Sequence, residues 1–286
     1  MSDTVVSIED MDPAQLIEQA EAAREAGELD TAAKIFNAAG NIFMAVSEFD
    51  EALSCFDKSL GIYKELKDET GISDTMYNLG VAQINLERWD EAINTCSAAM
   101  KLFTKMANDE GTADSTYGFA LATLGKGDFD AAMVQFKKAQ KLYKKVENQQ
   151  GVASIIMDIG NAYAEKEDWE NAQKHFKKAL LVYREIEDKS GIADALSLLG
   201  DIAEMKNNQK KAAECFVEAA QCYLDSEIFD IAREVVDRAE QKMWDIPKST
   251  RRRLRRVIDD IRDALPEETD DGEGDDDIDP DLAALM

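Results

Sequence analysis

Residues 151–190 read GVASIIMDIG NAYAEKEDWE NAQKHFKKAL LVYREIEDKS, and the spacing of their apolar side chains decides the fold. Ile155, Ile156, Ile159 and Tyr163 recur at three- and four-residue intervals, which lines them along one face of a helix. Asp168 stands in the short connection as an N-cap type residue. Beyond it Ala172, Phe176, Ala179, Leu180 and Tyr183 draw the same stripe a second time. Forty residues thus hold two amphipathic helices of about sixteen residues each. The connection Glu187-Asp188-Lys189-Ser190-Gly191 turns the chain, with Gly191 expected to supply a backbone angle that other residues resist. A hairpin this small cannot bury its own apolar faces, so neighbours must stack against it.

The rest of the chain supplies those neighbours. Gly71, Gly111, Gly151 and Gly191 recur at intervals of forty, as do Ala52, Ala92, Ala132, Ala172 and Ala212. One aromatic ladder runs Tyr63, Phe103, Tyr143, Tyr183, Tyr223; a second runs Phe56, Phe136, Phe176, Phe216, with Cys96 taking the place of the missing aromatic. Phe49, Trp89, Phe129 and Trp169 are each followed by an acid: Asp50, Asp90, Asp130 and Glu170. Small residues at Gly40, Gly80, Ala120, Gly160 and Gly200 allow paired helices to approach closely. Ladders sharing one period describe a repeat architecture.

Composition agrees. The four prolines, Pro13, Pro247, Pro266 and Pro280, leave residues 14–246 free of helix breakers, and the content is all-α in character. A formal charge of −26 repels nucleic-acid phosphates and anionic lipid, which argues against either as a general partner. The sequence has no apolar run of the roughly 20 residues a bilayer demands, and its acidic start is unlike a signal peptide. With four cysteines and no CxxC pair, the expected setting is cytoplasmic and reducing.

The repeated residues resemble the tetratricopeptide repeat family. Its pattern places a Leu-Gly pair in the first helix, then a small Ala, an aromatic and a further Ala in the second. Leu79-Gly80, Ala92, Cys96, Ala99 follow it, as do Ile159-Gly160, Ala172, Phe176, Ala179 and Leu199-Gly200, Ala212, Phe216, Ala219. The forty-residue unit looks like the Pins-type subclass, and the proline that often closes each unit is missing. The resemblance implies a right-handed superhelical solenoid of helix-turn-helix repeats. We expect a flexible N-terminus over 1–12, a solenoid with capping helices over 13–265 and a disordered acidic tail over 266–286. Within the solenoid, a capping helix covers 13–26, five repeats cover 30–224, and closing helices cover 228–243 and 248–265. Leu29-Asp30 with Ala32 and Phe36, and Phe229-Asp230 with Ala232, echo the motif at a twenty-residue offset, leaving helix roles at both ends ambiguous.

Candidate chemistry is sparse. His175 is the sole histidine and sits beside Phe176, where a partly exposed surface role suffices. Cys55, Cys96, Cys215 and Cys222 occupy core or near-core helix positions, so packing accounts for them and no metal is expected. Gly125-Lys126 imitates the end of a phosphate-binding loop, but Ala120 and Gly127 stand where Gly and Ser or Thr belong. No catalytic residue set and no cofactor are expected, and the chain reads as a non-enzyme. Residues 248–265 carry seven bases on one side and the stripe Leu254, Val257, Ile258, Ile261, Leu265 on the other, so this helix should dock on the preceding one. Its outward Arg251, Arg252, Arg255 and Arg256 are candidates for contact with a partner or with the tail, whose residues 267–281 hold ten acids and no base. A polar cap is the plain alternative, and nucleic-acid contact a weaker one.

The resemblance implies that the first helix of each repeat lines a concave groove. Its residues would be Asp74, Tyr77, Asn78, Asp114, Tyr117, Leu121, Met157, Asp158, Asn161, Asp194 and Asp201. Such a face is acidic with apolar and aromatic spots, with Lys34 the sole base in an equivalent slot. The expected function is a protein-interaction adaptor holding a basic or amphipathic segment of a partner. The alternative is a regulatory or peptide-sensing subunit of an enzyme complex.

Overall fold

The computed structural model describes residues 12–266; the expected N-terminal and acidic tail segments lie outside the described residues, apart from Asp12 and Pro266. Among the described residues there is no strand. The helices are α1 (Pro13–Glu25), α2 (Leu29–Ala45), α3 (Phe49–Leu66), α4 (Glu69–Asn85), α5 (Trp89–Lys105), α6 (Asp109–Gly125) and α7 (Phe129–Lys145). They continue as α8 (Gln149–Glu165), α9 (Trp169–Glu185), α10 (Lys189–Met205), α11 (Gln209–Asp225), α12 (Phe229–Gln241) and α13 (Lys248–Ala264), with a 3-10 turn at Met243–Asp245. Within each of two compact units, one ending at Asp188 and one beginning at Lys189, consecutive helices pack as hairpins, the tetratricopeptide-like arrangement. Among the described residues no helix is long and apolar enough to cross a membrane.

From α2 to α11 the helices start every twenty residues, although their side chains repeat every forty. This half-period resolves the ambiguous ends: α2 and α12 begin with Leu29-Asp30 and Phe229-Asp230 in register with the helices between them. Each turn from α1 to α12 follows one scheme. A residue one or two past the helix takes a left-handed backbone, and the next amide donates to the carbonyl five residues back: Glu48 to Phe43 at 2.9 Å, Asp68 to Tyr63 at 3.0 Å, Asp168 to Tyr163 at 2.9 Å. These bonds satisfy helix-end carbonyls that would otherwise lack partners.

The turn residue is where the sequence reading needs correction. The left-handed position in the turn after α9 is Glu187, with φ of 57°, and Gly191 lies buried inside α10. At equivalent turns Ser47, Lys67, Glu87, Ala107, Glu147, Glu167, Asn207 and Glu227 adopt the same geometry, and only Gly27 and Gly127 are glycine. The glycine ladder serves packing instead. A Cβ at Gly71 would stand 2.4 Å from the Tyr63 ring, one at Gly111 2.4 Å from Phe103, and one at Gly151 2.8 Å from Tyr143.

The second small-residue ladder does what its spacing suggests. Gly40 faces Phe56, Gly160 faces Phe176 and Gly200 faces Phe216, each with 2.5 Å to a would-be Cβ, while Gly80 faces Cys96 at 2.6 Å. Phe36, Phe56, Phe136, Phe176 and Phe216 are all fully buried. Asp168 caps α9 as expected, its carboxylate accepting from the Asn171 amide at 3.1 Å. In the second unit, α13 buries Leu254, Ile258 and Ile261, but it lies mainly on α11 and only marginally on the preceding α12. The turn at Met243–Asp245 and Pro247 carries the chain past α12, so the apolar stripe meets the more distant helix.

Candidate functional site

In the first unit, α2, α4 and α6 lie side by side, which sets equivalent positions of neighbouring repeats next to each other. On α4 the face carries Asp74, Tyr77 and Asn78, at the three- and four-residue spacing of one helix side. On α6 the corresponding residues are Asp114, Tyr117 and Leu121, and on α8 they are Met157, Asp158 and Asn161. Asp74, Tyr77, Asn78 and Asp114 converge on one pocket of about 300 Å³, joined by Phe103, Asn108, Glu110 and Gly111. The Asn78 amide donates to the Asn37 side-chain oxygen at 3.2 Å, continuing the polar row onto α2.

Hydroxyl–carboxylate pairs run along this face. Tyr143 donates to Asp114 at 2.6 Å, and Tyr117 donates to Asp158. The Tyr117 ring meets Tyr143 edge-on at 6.3 Å. Burial pushes the carboxyls of Asp74, Asp114 and Asp158 above their ordinary value, while Tyr143 on Asp114, and Tyr117 and Asn161 on Asp158, pull the other way. No cation contributes to any of the three shifts. Burial likewise lifts the Tyr77 hydroxyl to about 12. Unlike Tyr117, Tyr77 has no hydrogen-bond acceptor among the described residues.

The spacing of these pairs isolates one acid. Tyr143 lies twenty-nine residues after Asp114, and in the second unit Tyr223 lies twenty-nine after Asp194 and donates to it at 2.6 Å. Twenty-nine residues after Asp74 stands Phe103, which has no hydroxyl to give. Asp74, which is exposed, thus lacks the internal donor that Asp114 and Asp194 have. Of the other expected groove residues, Met157 is buried and offers little surface, and Leu121 is half-buried. Asp201, in the second unit, is taken up by an ion pair with Arg238. Sequence reasoning missed Asn108 and Glu110, which sit at the α6 start beside the pocket. It also filed Tyr143 as core alone; its hydroxyl, in a ladder slot shared with Phe103, was the available signal.

Of the remaining candidates, His175, Cys96 and Arg251 have structural contacts. His175 stacks on Tyr163 with 5.3 Å between ring centres, its Nδ1 2.8 Å from the Asn171 carbonyl. Cys96 is buried and its thiol is pushed up to about 12. Among the described residues no group of three or more metal-ligating side chains comes together. Arg251 is half-buried and donates to the carbonyls of Trp244 at 2.7 Å and Ile246 at 3.2 Å, which ties α13 to the preceding turn. Arg252, Arg255 and Arg256 are exposed.

The soluble NSF attachment protein family model matches residues 12–180, and a tetratricopeptide repeat model matches residues 151–225. No curated protein matches the chain. Among solved structures, BtubC (BKLC) from P. vanneervenii is similar with a TM-score of 0.62 at 18% identity, covering 78% of this chain and 93% of its own. The Rap conjugation gene regulator of plasmid pLS20, in complex with the Phr* peptide, has a TM-score of 0.59 at 14% identity, covering 94% and 82%. NprR in complex with its cognate peptide NprX has a TM-score of 0.57 at 13% identity, covering 89% and 84%. At such identities the likeness is one of fold.

Proposed function

The chain belongs to the tetratricopeptide-like family of soluble NSF attachment proteins, and we propose that it is a non-catalytic scaffold whose α4–α6–α8 face holds a basic or amphipathic segment of a partner protein. The carrying observation is the pocket between α4 and α6. It sets Asp74, whose repeat partner Phe103 lacks a hydroxyl, beside Tyr77, whose hydroxyl has no acceptor. Carboxyls raised by burial, with no base beside them, gain most from a ligand that brings positive charge. Tyr77 supplies the aromatic surface on which binding energy concentrates. Asn78 and Asn161 can bond a peptide backbone.

A peptide array probed with the full chain tests this reading. Basic amphipathic peptides should win, and Tyr77→Ala or Asp74→Asn should weaken the best of them by about ten-fold, or 1.4 kcal/mol. An array won by acidic C-terminal peptides overturns it. A second reading, a regulatory subunit that senses a peptide, draws support from two similar folds solved in complex with peptides. Co-purification of an enzyme or a small peptide from the native cell would favour it over the adaptor.

A further inference from the structure

In the second unit, the charge on α13 is divided. Its first half, residues 248–256, carries six bases and no acid, whereas residues 257–264 carry three acids and one base. This order runs against the helix macrodipole, whose N-terminal end favours negative charge, and Pro247 before the helix gives no side-chain cap. Lys248, Arg252, Arg255 and Arg256 are exposed and have no ion-pair partner among the described residues. They share an arc of about 100° on the side of the helix away from Leu254, Ile258 and Ile261. By contrast Lys189, Arg238, Lys242 and Arg253 are held by Asp225, Asp201, Glu204 and Glu214. Beside the free row stands Trp244, 78% exposed, more than any other large hydrophobic side chain among the described residues. It lines a pocket of about 450 Å³ with Met243, Arg251, Arg255, Asp237 and Glu240. Both acids are already bound by Arg262, at 2.7 and 2.9 Å, which leaves Arg255 as the exposed, unmatched charge there. An exposed ring beside unmatched cations suits a ligand that combines acidic with apolar side chains.

A sequence of that composition adjoins α13. Residues 267–281 hold ten acids and no base, and Leu282, Leu285 and Met286 follow directly. We propose that segment 267–286 of the same chain binds α13, with its acids on Lys248, Arg252, Arg255 and Arg256 and with Leu282 and Leu285 on Trp244. Chain length and direction agree with this. α13 has 17 residues and is about 25 Å long, while the sixteen residues from Glu267 to Leu282 can span about 50 Å. The segment begins at the C-terminal end of α13 and Trp244 stands before its N-terminal end, so the acids pass the arginines before the leucines reach the ring. Asp259, Asp260 and Asp263 repel the segment from the second half of the helix, which favours placing its acids over the first half. Attachment to the same chain keeps the local concentration of the segment high.

Hydroxyl-radical footprinting of the full chain, read by mass spectrometry, tests the contact. Trp244 should be oxidised several-fold more slowly than in a variant with Leu282→Asp and Leu285→Asp, and Trp169, in the first unit, should react alike in both proteins. High salt should weaken the protection, because the charged contacts are exposed and screened. Arg252→Glu, Arg255→Glu and Arg256→Glu together should abolish it. Changing Asp270, Asp271, Asp275, Asp276 and Asp277 to Lys in that background should restore much of it. Equal Trp244 rates in the wild type and the Leu→Asp variant overturn the proposal, as does a charge reversal that restores nothing. Protection that grows with protein concentration assigns the surface to a second copy, and protection lost on nuclease treatment assigns it to nucleic acid; either result also overturns the proposal.

Discussion

Gly61→Ala and Gly160→Ala are one substitution in one kind of element, yet the structure gives them opposite signs. Both glycines lie inside helices, Gly61 in α3 and Gly160 in α8. Alanine is favoured over glycine in a helix interior by about 0.8–1.0 kcal/mol. At Gly61 a Cβ meets nothing within 4 Å, so the variant should keep that whole gain. At Gly160 it would stand 2.5 Å from Cε1 and 2.6 Å from Cδ1 of Phe176. That ring is 1% exposed and has no room to retreat. Overpacking costs about 1–3 kcal/mol, so Gly160→Ala should forfeit the helix gain and lose up to about 2 kcal/mol net. Phe176→Ala empties the slot and should lose about 3–5 kcal/mol. In that background the clash is gone and Gly160→Ala should become stabilising, a reversal that a double-mutant cycle reads directly. Urea titration followed by circular dichroism should rank the midpoints Gly61→Ala, wild type, Gly160→Ala, double variant, Phe176→Ala. Because a repeat stack can fray locally, hydrogen exchange across α8 and α9 should show the same order. If Gly160→Ala raises the wild-type midpoint as Gly61→Ala does, the ladder packing is wrong.

Other expectations concern titration, thiols and caps. Burial holds the Asp114 and Asp158 carboxyls above their ordinary value, so the native state keeps protons that the unfolded chain gives up. Their contribution to stability therefore falls as pH rises from the ordinary carboxylate range through the raised values, and melts across that window should show Asp158→Asn with a shallower decline. Under native conditions iodoacetamide should modify half-buried Cys222 first, with Cys96, whose thiol is pushed up to about 12, the last to react by mass spectrometry. Asn148→Ala removes the side-chain acceptor for the Gly151 amide at 2.8 Å and should cost about 1 kcal/mol in a thermal melt.

The fold was legible because its cause is periodic. Phe56, Phe136, Phe176 and Phe216 announce their burial by spacing alone, and Gly40, Gly160 and Gly200 announce what they pack against. The turns were misread because two devices both favour glycine. Close approach to Tyr63, Phe103 and Tyr143 demands it at Gly71, Gly111 and Gly151, whereas the left-handed turn tolerates Glu187 at a cost of about 1–2 kcal/mol. The docking of α13 was misread for another reason. An amphipathic stripe tells how wide the buried face is, and not which helix receives it. In the candidate site, the acids and tyrosines of α4, α6 and α8 could be placed on one face by periodicity. The pairing of Tyr143 with Asp114 required the distance between two helices, and with it came the distinction of Asp74.

The most direct test of the α4–α6 pocket as the partner site is carbodiimide coupling of a lysine-containing basic amphipathic peptide to the full chain. This chemistry joins a lysine to a carboxylate only where the two are in contact. Mass spectrometry should find the peptide on Asp74, Glu110 or Asp114, and Tyr77→Ala should remove those links. Coupling that is spread over the exposed acids, or that leaves these three untouched while the peptide remains bound, would contradict the account.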